Sequence, residues 1–142
     1  MPAVFSESGL SFQYPENWKL ERDQIDNGWL ATVQSPDTSF FMLCYRDDCP
    51  SAEELAEEAL ADLRESYPEL EPEPGSTSIA GRVAHGHDAR FFLFDLTNTA
   101  WTRTFRTAKA TVLVMWQVND LEMDRHEPVL RAMVASLRVE EQ

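Results

Sequence analysis

Residues 89–118 read ARFFLFDLTNTAWTRTFRTAKATVLVMWQV. Three runs rich in aromatic and β-branched residues follow one another here, and their alternation defines strand faces. Phe92, Phe94 and Leu96 oppose Phe91 and Leu93 in the first run. Trp101, Arg103 and Phe105 oppose Thr102, Thr104 and Arg106 in the second. Val112, Val114, Trp116 and Val118 oppose Leu113 and Met115 in the third. Thr97-Asn98-Thr99 and Thr107-Ala108-Lys109 read as the connections, and links this short join only antiparallel neighbours. The stretch is therefore expected to be a three-strand meander over 89–97, 99–107 and 109–118. Residues 39–46 likewise carry apolar side chains on both faces, Phe40, Met42 and Cys44 against Phe41, Leu43 and Tyr45. A sheet with one wet face alternates apolar and polar residues, so these strands need cover on both sides.

The cover is supplied by two helical patterns. Ser51 with Glu54 forms a capping box, in which hydroxyl and carboxylate satisfy each other's orphan amides. Leu55, Ala59, Leu60, Leu63 and Tyr67 then keep one apolar stripe until Pro68. A second helix is expected over 124–136, with Asp124 and Glu127 as its box, Leu130, Met133, Val134 and Leu137 as its stripe, and Pro128 near its first turn. Shorter strands are expected at 10–14 and 28–34, with a turn at Pro15–Asn17. Residues 69–75, with Pro72 and Pro74, read as loop. Weak edge strands flank Gly81, and residues 137–139 close the chain as a strand or tail. The expectation is a single α+β domain over 1–142: a three-layer α/β/α sandwich with a central antiparallel sheet and a helix on each face.

The order of these elements resembles the PsbP-like superfamily. Gly9-Leu10-Ser11-Phe12-Gln13-Tyr14-Pro15-Glu16-Asn17-Trp18 is similar to that family's opening, an extended segment running into Tyr-Pro and then Trp. Ile79-Ala80-Gly81 and Ser136-Leu137-Arg138-Val139 match its later turn and ending. The superfamily includes the photosystem extrinsic subunit, a Ran-binding nuclear import factor, and bacterial chaperones of type VI secretion effectors. The resemblance implies a non-enzymatic, protein-binding accessory domain, such as a chaperone or adaptor. It transfers no catalytic residue. A carrier or sensor of a small apolar ligand is the alternative.

Charge narrows the partners. Twenty-five acids against 12 bases leave a net charge of −13 in 142 residues. That argues against nucleic acid, whose phosphates need a basic surface, and against anionic membranes. No apolar run approaches the roughly 18–20 residues of a membrane span. The N-terminal residues show no secretory pattern, so the expectation is a cytoplasmic protein, monomeric or weakly dimeric, with no cofactor. Cys44 and Cys49 read as two free thiols rather than a disulfide. Nine acids and one base, Arg64, fall between Glu53 and Glu73. From Arg82 to Lys109 five bases meet only Asp88 and Asp95.

Chemistry-bearing motifs are sparse. His85 and His87 share a strand face and are the best metal-like pair, but a closed zinc site needs three or four ligands. No Gly-x-Ser-x-Gly elbow and no Gly-rich phosphate loop occur. Trp101, Arg103 and Phe105, with neighbouring Arg106, are the candidate partner-binding residues, because Trp and Arg are enriched at binding hot spots.

Placing Leu63 on the buried stripe of the first helix gives a direct test. Leu63→Ala should cost roughly 2–5 kcal/mol as a cavity, and Glu57→Ala, on the wet side, about 0.5 kcal/mol or less. Denaturant melts of the two variants check it, and equal effects would reject the stripe.

Overall fold

In the computed structural model, residues 2–140 are described. The chain runs through β1 (Ala3–Glu7), β2 (Leu10–Tyr14), β3 (Lys19–Ile25), β4 (Gly28–Gln34), β5 (Phe40–Arg46), α1 (Ala52–Ser66), β6 (Glu71–Ile79), β7 (Arg82–Leu93), β8 (Leu96–Arg106), β9 (Thr111–Asn119), α2 (Met123–Ala135) and β10 (Arg138–Val139). Seven strands form one sheet in the order β3-β4-β5-β9-β8-β7-β6, antiparallel at every step. A second, three-stranded sheet has the order β1-β2-β10. The fold is α+β, as the two-faced strands require.

Alternate residues of β9 enter different cores. Val112, Val114, Trp116 and Val118 pack with Phe41 and Leu43 of β5, with Leu130, Met133 and Val134 of α2, and with Phe5, Leu10 and Phe12 of the small sheet. Leu113 packs with Cys44, Leu55 and Ala59. Further along α1, Leu60 and Leu63 lie with Ala89, Phe91 and Ala100. Ala89 and Ala100 are paired across β7 and β8 and fully buried, which leaves room for the helix. The simple helix–sheet–helix expectation is thus corrected on one side. There α2 shares the cover with β1, β2 and β10, joined to the large sheet through Phe12 on Phe41 (4.8 Å) and Phe5 on Trp29 (5.3 Å). Nothing in the short N-terminal alternation signalled that the closing strand would come back to pair with β2.

Two start signals behave differently. Ser51 is extended and its Oγ accepts the Glu54 N–H at 3.0 Å, the hydroxyl half of the expected box, and this cap gives α1 its start. Thr104 Oγ1 donates to Ala52 C=O at 2.7 Å and fixes the helix to β8. At α2 the expected Asp124 box does not form. The N-cap is Glu122, and its side chain is committed elsewhere. Trp18 N–H closes a turn onto Pro15 C=O at 3.0 Å, and the indole is buried edge-on to His126.

Three boundaries depart from expectation. The turn between β7 and β8 lies at Phe94-Asp95, not at 97–99, and Asn98 is a buried strand residue paired with Phe91 and Asn119. Of the segment read as loop at 69–75, residues 71–75 are instead the first half of β6, and the weak strands beside Gly81 are long ones. Pro72 and Pro74 are tolerated because β6 is an edge strand, where the missing N–H groups can face outward. β3, at the opposite edge, carries Lys19, Glu21, Arg22 and Asp23.

Gly28 opens β4 at φ 145°, and a Cβ there would lie 1.7 Å from the Tyr45 carbonyl oxygen. Gly28→Ala combines backbone strain with overpacking of β4 against β5. It should destabilise the protein by roughly 2–4 kcal/mol, read as a lowered midpoint in urea. A midpoint equal to wild type would place the β3–β4 hairpin differently.

Candidate functional site

The expected row on β8 exists as a face, but its members sit at different depths. Phe105 is buried in the α2-side core. Arg103 lies on the same face and is 4% exposed. Its guanidinium donates to Asp88 Oδ1 (2.6 Å), Thr77 Oγ1 (2.9 Å) and the carbonyls of Thr102 (2.8 Å) and His87 (3.3 Å). The side chain reaches across β7 to Gly75 of β6, where a Cβ would come within 2.5 Å of Nη2. So many donors spent internally make Arg103 part of the scaffold. Arg106 points to the opposite face and bonds Cys49 C=O at 3.0 Å. Trp101 alone of the four is a half-buried ring on this face, stacked on Trp116 at 5.8 Å and 13°. Arg103 also sits 5.9 Å from the Trp116 ring.

Trp101 is shared by two adjoining clefts between β6–β8 and α2. One, of about 140 Å³, is lined by Glu71, Glu73, Asp88, Arg90, Thr99 and Met123. The other, of about 230 Å³, is lined by Thr77, Arg103, Trp116, Glu127, Arg131 and Val134. A tryptophan floor with carboxylates on β6 and an exposed Arg131 on α2 suits a peptide or side-chain ligand carrying both apolar and charged groups.

His85 and His87 do share a face, the one toward α1. His85 Nδ1 meets Ser76 Oγ at 2.9 Å, and His87 Nε2 lies 3.9 Å from Glu57. They line a cleft of about 410 Å³ with Glu53 and Glu57. Among the described residues, a group of three possible donors within 4.8 Å of one another lies elsewhere, at Asp37, Glu122 and His126.

Sequence reading missed that cluster. Glu122 is 5% exposed and accepts from Thr38 N–H (3.0 Å), Thr38 Oγ1, Ser39 N–H (3.1 Å), Ser39 Oγ (2.8 Å) and Asn119 Nδ2 (2.8 Å). Although burial opposes the charge, these donors hold its carboxyl down to about 2. His126 is buried beside it, with Nδ1 2.9 Å from Ser39 Oγ and Nε2 3.4 Å from Asp37. A serine, a histidine and carboxylates in line have the parts of a nucleophilic site. Yet Ser39 is fully buried, and both Glu122 oxygens are already occupied by protein donors. The cluster fastens the 35–39 loop to the start of α2. Its two halves, residues 37–39 and 119–126, are joined by hydrogen bonds that span more than 80 residues, so no local pattern could have announced it.

Comparison with solved structures matches the fold. The chain superposes on cyanobacterial PsbP from Synechocystis sp. PCC 6803 with a TM-score of 0.66 at 12% identity, covering 98% of this chain and 92% of that one. It matches protein PA94 of Pseudomonas aeruginosa, of unknown function, at 0.56 and 12%, over 99% of both chains. It matches LpqN, involved in cell envelope biogenesis of Mycobacterium tuberculosis, at 0.55 and 11%, over 99% of this chain and 90% of that one. No protein-family model and no curated protein sequence matches. The fold is PsbP-like, as the Tyr14-Pro15 opening suggested. No helix among the described residues is long and apolar enough to cross a membrane.

The Glu122 cluster sets an acid limit. Its folded pKa, about 2, lies below the ordinary 4.5, so its contribution is complete above pH 4.5 and is lost as pH falls toward 2. The shift corresponds to about 3 kcal/mol. Wild-type stability should drop through that window, and Glu122→Gln should be less stable at pH 7 with a flatter acid limb. Parallel acid titrations of the two proteins would reject this role.

Proposed function

We propose that this protein is a non-enzymatic accessory domain that binds another protein through the cleft floored by Trp101. The observation that carries the reading is the position of Trp101. It is a half-buried ring at the junction of two clefts, seated on Trp116 above an internally satisfied Arg103. An aromatic held in place from beneath binds at small entropic cost. On this reading the two faces of the large sheet have separate duties. α1 covers one apart from the cleft at His85 and His87, while α2 and the small sheet cover the other only in part and leave the Trp101 clefts open. The PsbP-like neighbours support an accessory role by analogy of fold, and a cytoplasmic chaperone or adaptor is the form we favour.

A second reading, the small apolar-ligand carrier, is favoured by one feature. A groove of about 560 Å³ lies between Tyr14, Pro15 and the Val129, Ala132 and Met133 side of α2. A mass excess in native spectra that vanishes on denaturation would support it.

The experiment for the leading reading is affinity purification from the source cells, followed by production of the retained protein and measurement of its binding. Trp101→Leu should weaken that binding about tenfold or more, as hot-spot residues do, with a melting temperature within a few degrees of wild type. Unchanged binding by a folded variant, or no reproducible partner, would reject the cleft.

A further inference from the structure

The end of the sheet beyond the Trp101 cleft is unusually apolar for a chain of net charge −13. Phe92 is 77% exposed and Phe94 is 89% exposed, at the tip of the β7–β8 hairpin. Leu121, 74% exposed, lies at the same end. Phe92 pairs with Thr97, whose carbonyl accepts the Asp120 N–H at 3.0 Å, one residue before Leu121. Isolated exposed apolar residues are ordinary, but several gathered at one tip mark a contact surface.

The turn itself carries the second observation. Phe94 and Asp95 both have left-handed φ, 53° and 61°. Two other two-residue hairpins, Ser8-Gly9 (54°, 81°) and Ala80-Gly81 (52°, 78°), have the same signs, and each puts glycine in its second position. The Phe94-Asp95 turn has no glycine and sets a bulky aromatic where left-handed backbone is a true outlier for such a side chain. Strain of this kind collects where a side chain must be presented in a fixed direction.

Charge selects the occupant. Asp95 lies in the turn, Asp120 beside Leu121, and Asp124 a turn further on, all exposed. An anionic bilayer and a second copy of this chain both present like charge to such a tip. We infer that the β7–β8 hairpin tip is a docking prong: Phe92 and Phe94 enter an apolar pocket of a partner protein whose rim carries Lys or Arg. This rests on the protein-binding reading above and adds a second point of contact with the chemistry of its receptor.

The test places a photoreactive benzoyl-phenylalanine at position 94 of the full chain in the source cells. The crosslinked protein is identified and produced, and its binding is measured. Phe94→Asn with Asp95→Gly installs the favoured Asn-Gly turn, so this variant should melt higher than wild type. It should nevertheless bind at least about tenfold more weakly, as should Phe92→Ser, and the wild-type association rate should fall with added salt. The inference is overturned if the variants bind as wild type. It is also overturned if crosslinks go only to lipid or to a second copy, or if phosphatidylcholine–phosphatidylglycerol vesicles retain wild type and release the variants. Weak binding by Trp101→Leu alone would remove the prong and leave the cleft. Normal binding by every variant would remove both.

Discussion

β9 is buried along nearly its whole length on both faces. A strand in that position removes water from two surfaces at once, and every neighbour is placed by the need to complete those surfaces. α1 meets Leu113 on one side. α2 and the aromatic end of the small sheet meet Val112, Val114 and Val118 on the other. The alternation of β9 therefore decides which residues of β8 and β7 face α1 and which face α2, because register is transmitted strand to strand. Trp101 reaches the cleft, and Thr102 does not, for this reason.

Where sequence reasoning succeeded, the controlling interactions are local. The Ser51 hydroxyl caps the Glu54 N–H three residues on, and the α1 stripe follows from one helical period. The two-faced apolar runs also state their own requirement for cover. Where it failed, the controlling interaction is distant or breaks a local preference. Asn98 is a turn former by propensity, yet it is buried in β8 opposite Asn119, and the chain turns at Phe94-Asp95, where Asp95 suits a turn but Phe94 does not. Pro72 and Pro74 hide β6 because the outer side of an edge strand asks nothing of an N–H. Glu122 and His126 lie in a helix start whose acids looked like ordinary capping candidates, and only Thr38 and Ser39, folded in from β5's approach, reveal their role.

The candidate site was legible in part for the same reason. That Trp101, Arg103 and Phe105 share a face follows from period two alone. Their depths do not, because depth depends on how Arg103 lies against Gly75 of β6 and how far α2 extends over the sheet. Three residues on one strand face came to serve three ends: a core ring, an internally bonded cation and a half-open indole. Local conflicts between preference and placement, such as Phe94, are where a sequence departs from its cheapest fold, and they mark the surface that needs another explanation.

The two spoiled sheet edges bear on how such a surface can be kept. Prolines on β6 and alternating charges on β3 deny a neighbouring chain the row of donors and acceptors that strand-to-strand polymerisation requires. The exposed aromatic tip is thus not joined to a bare backbone edge at either side of the large sheet. On the protein-binding reading, recognition then rests on side chains, whose identity a partner can check, and not on the backbone, which every protein shares.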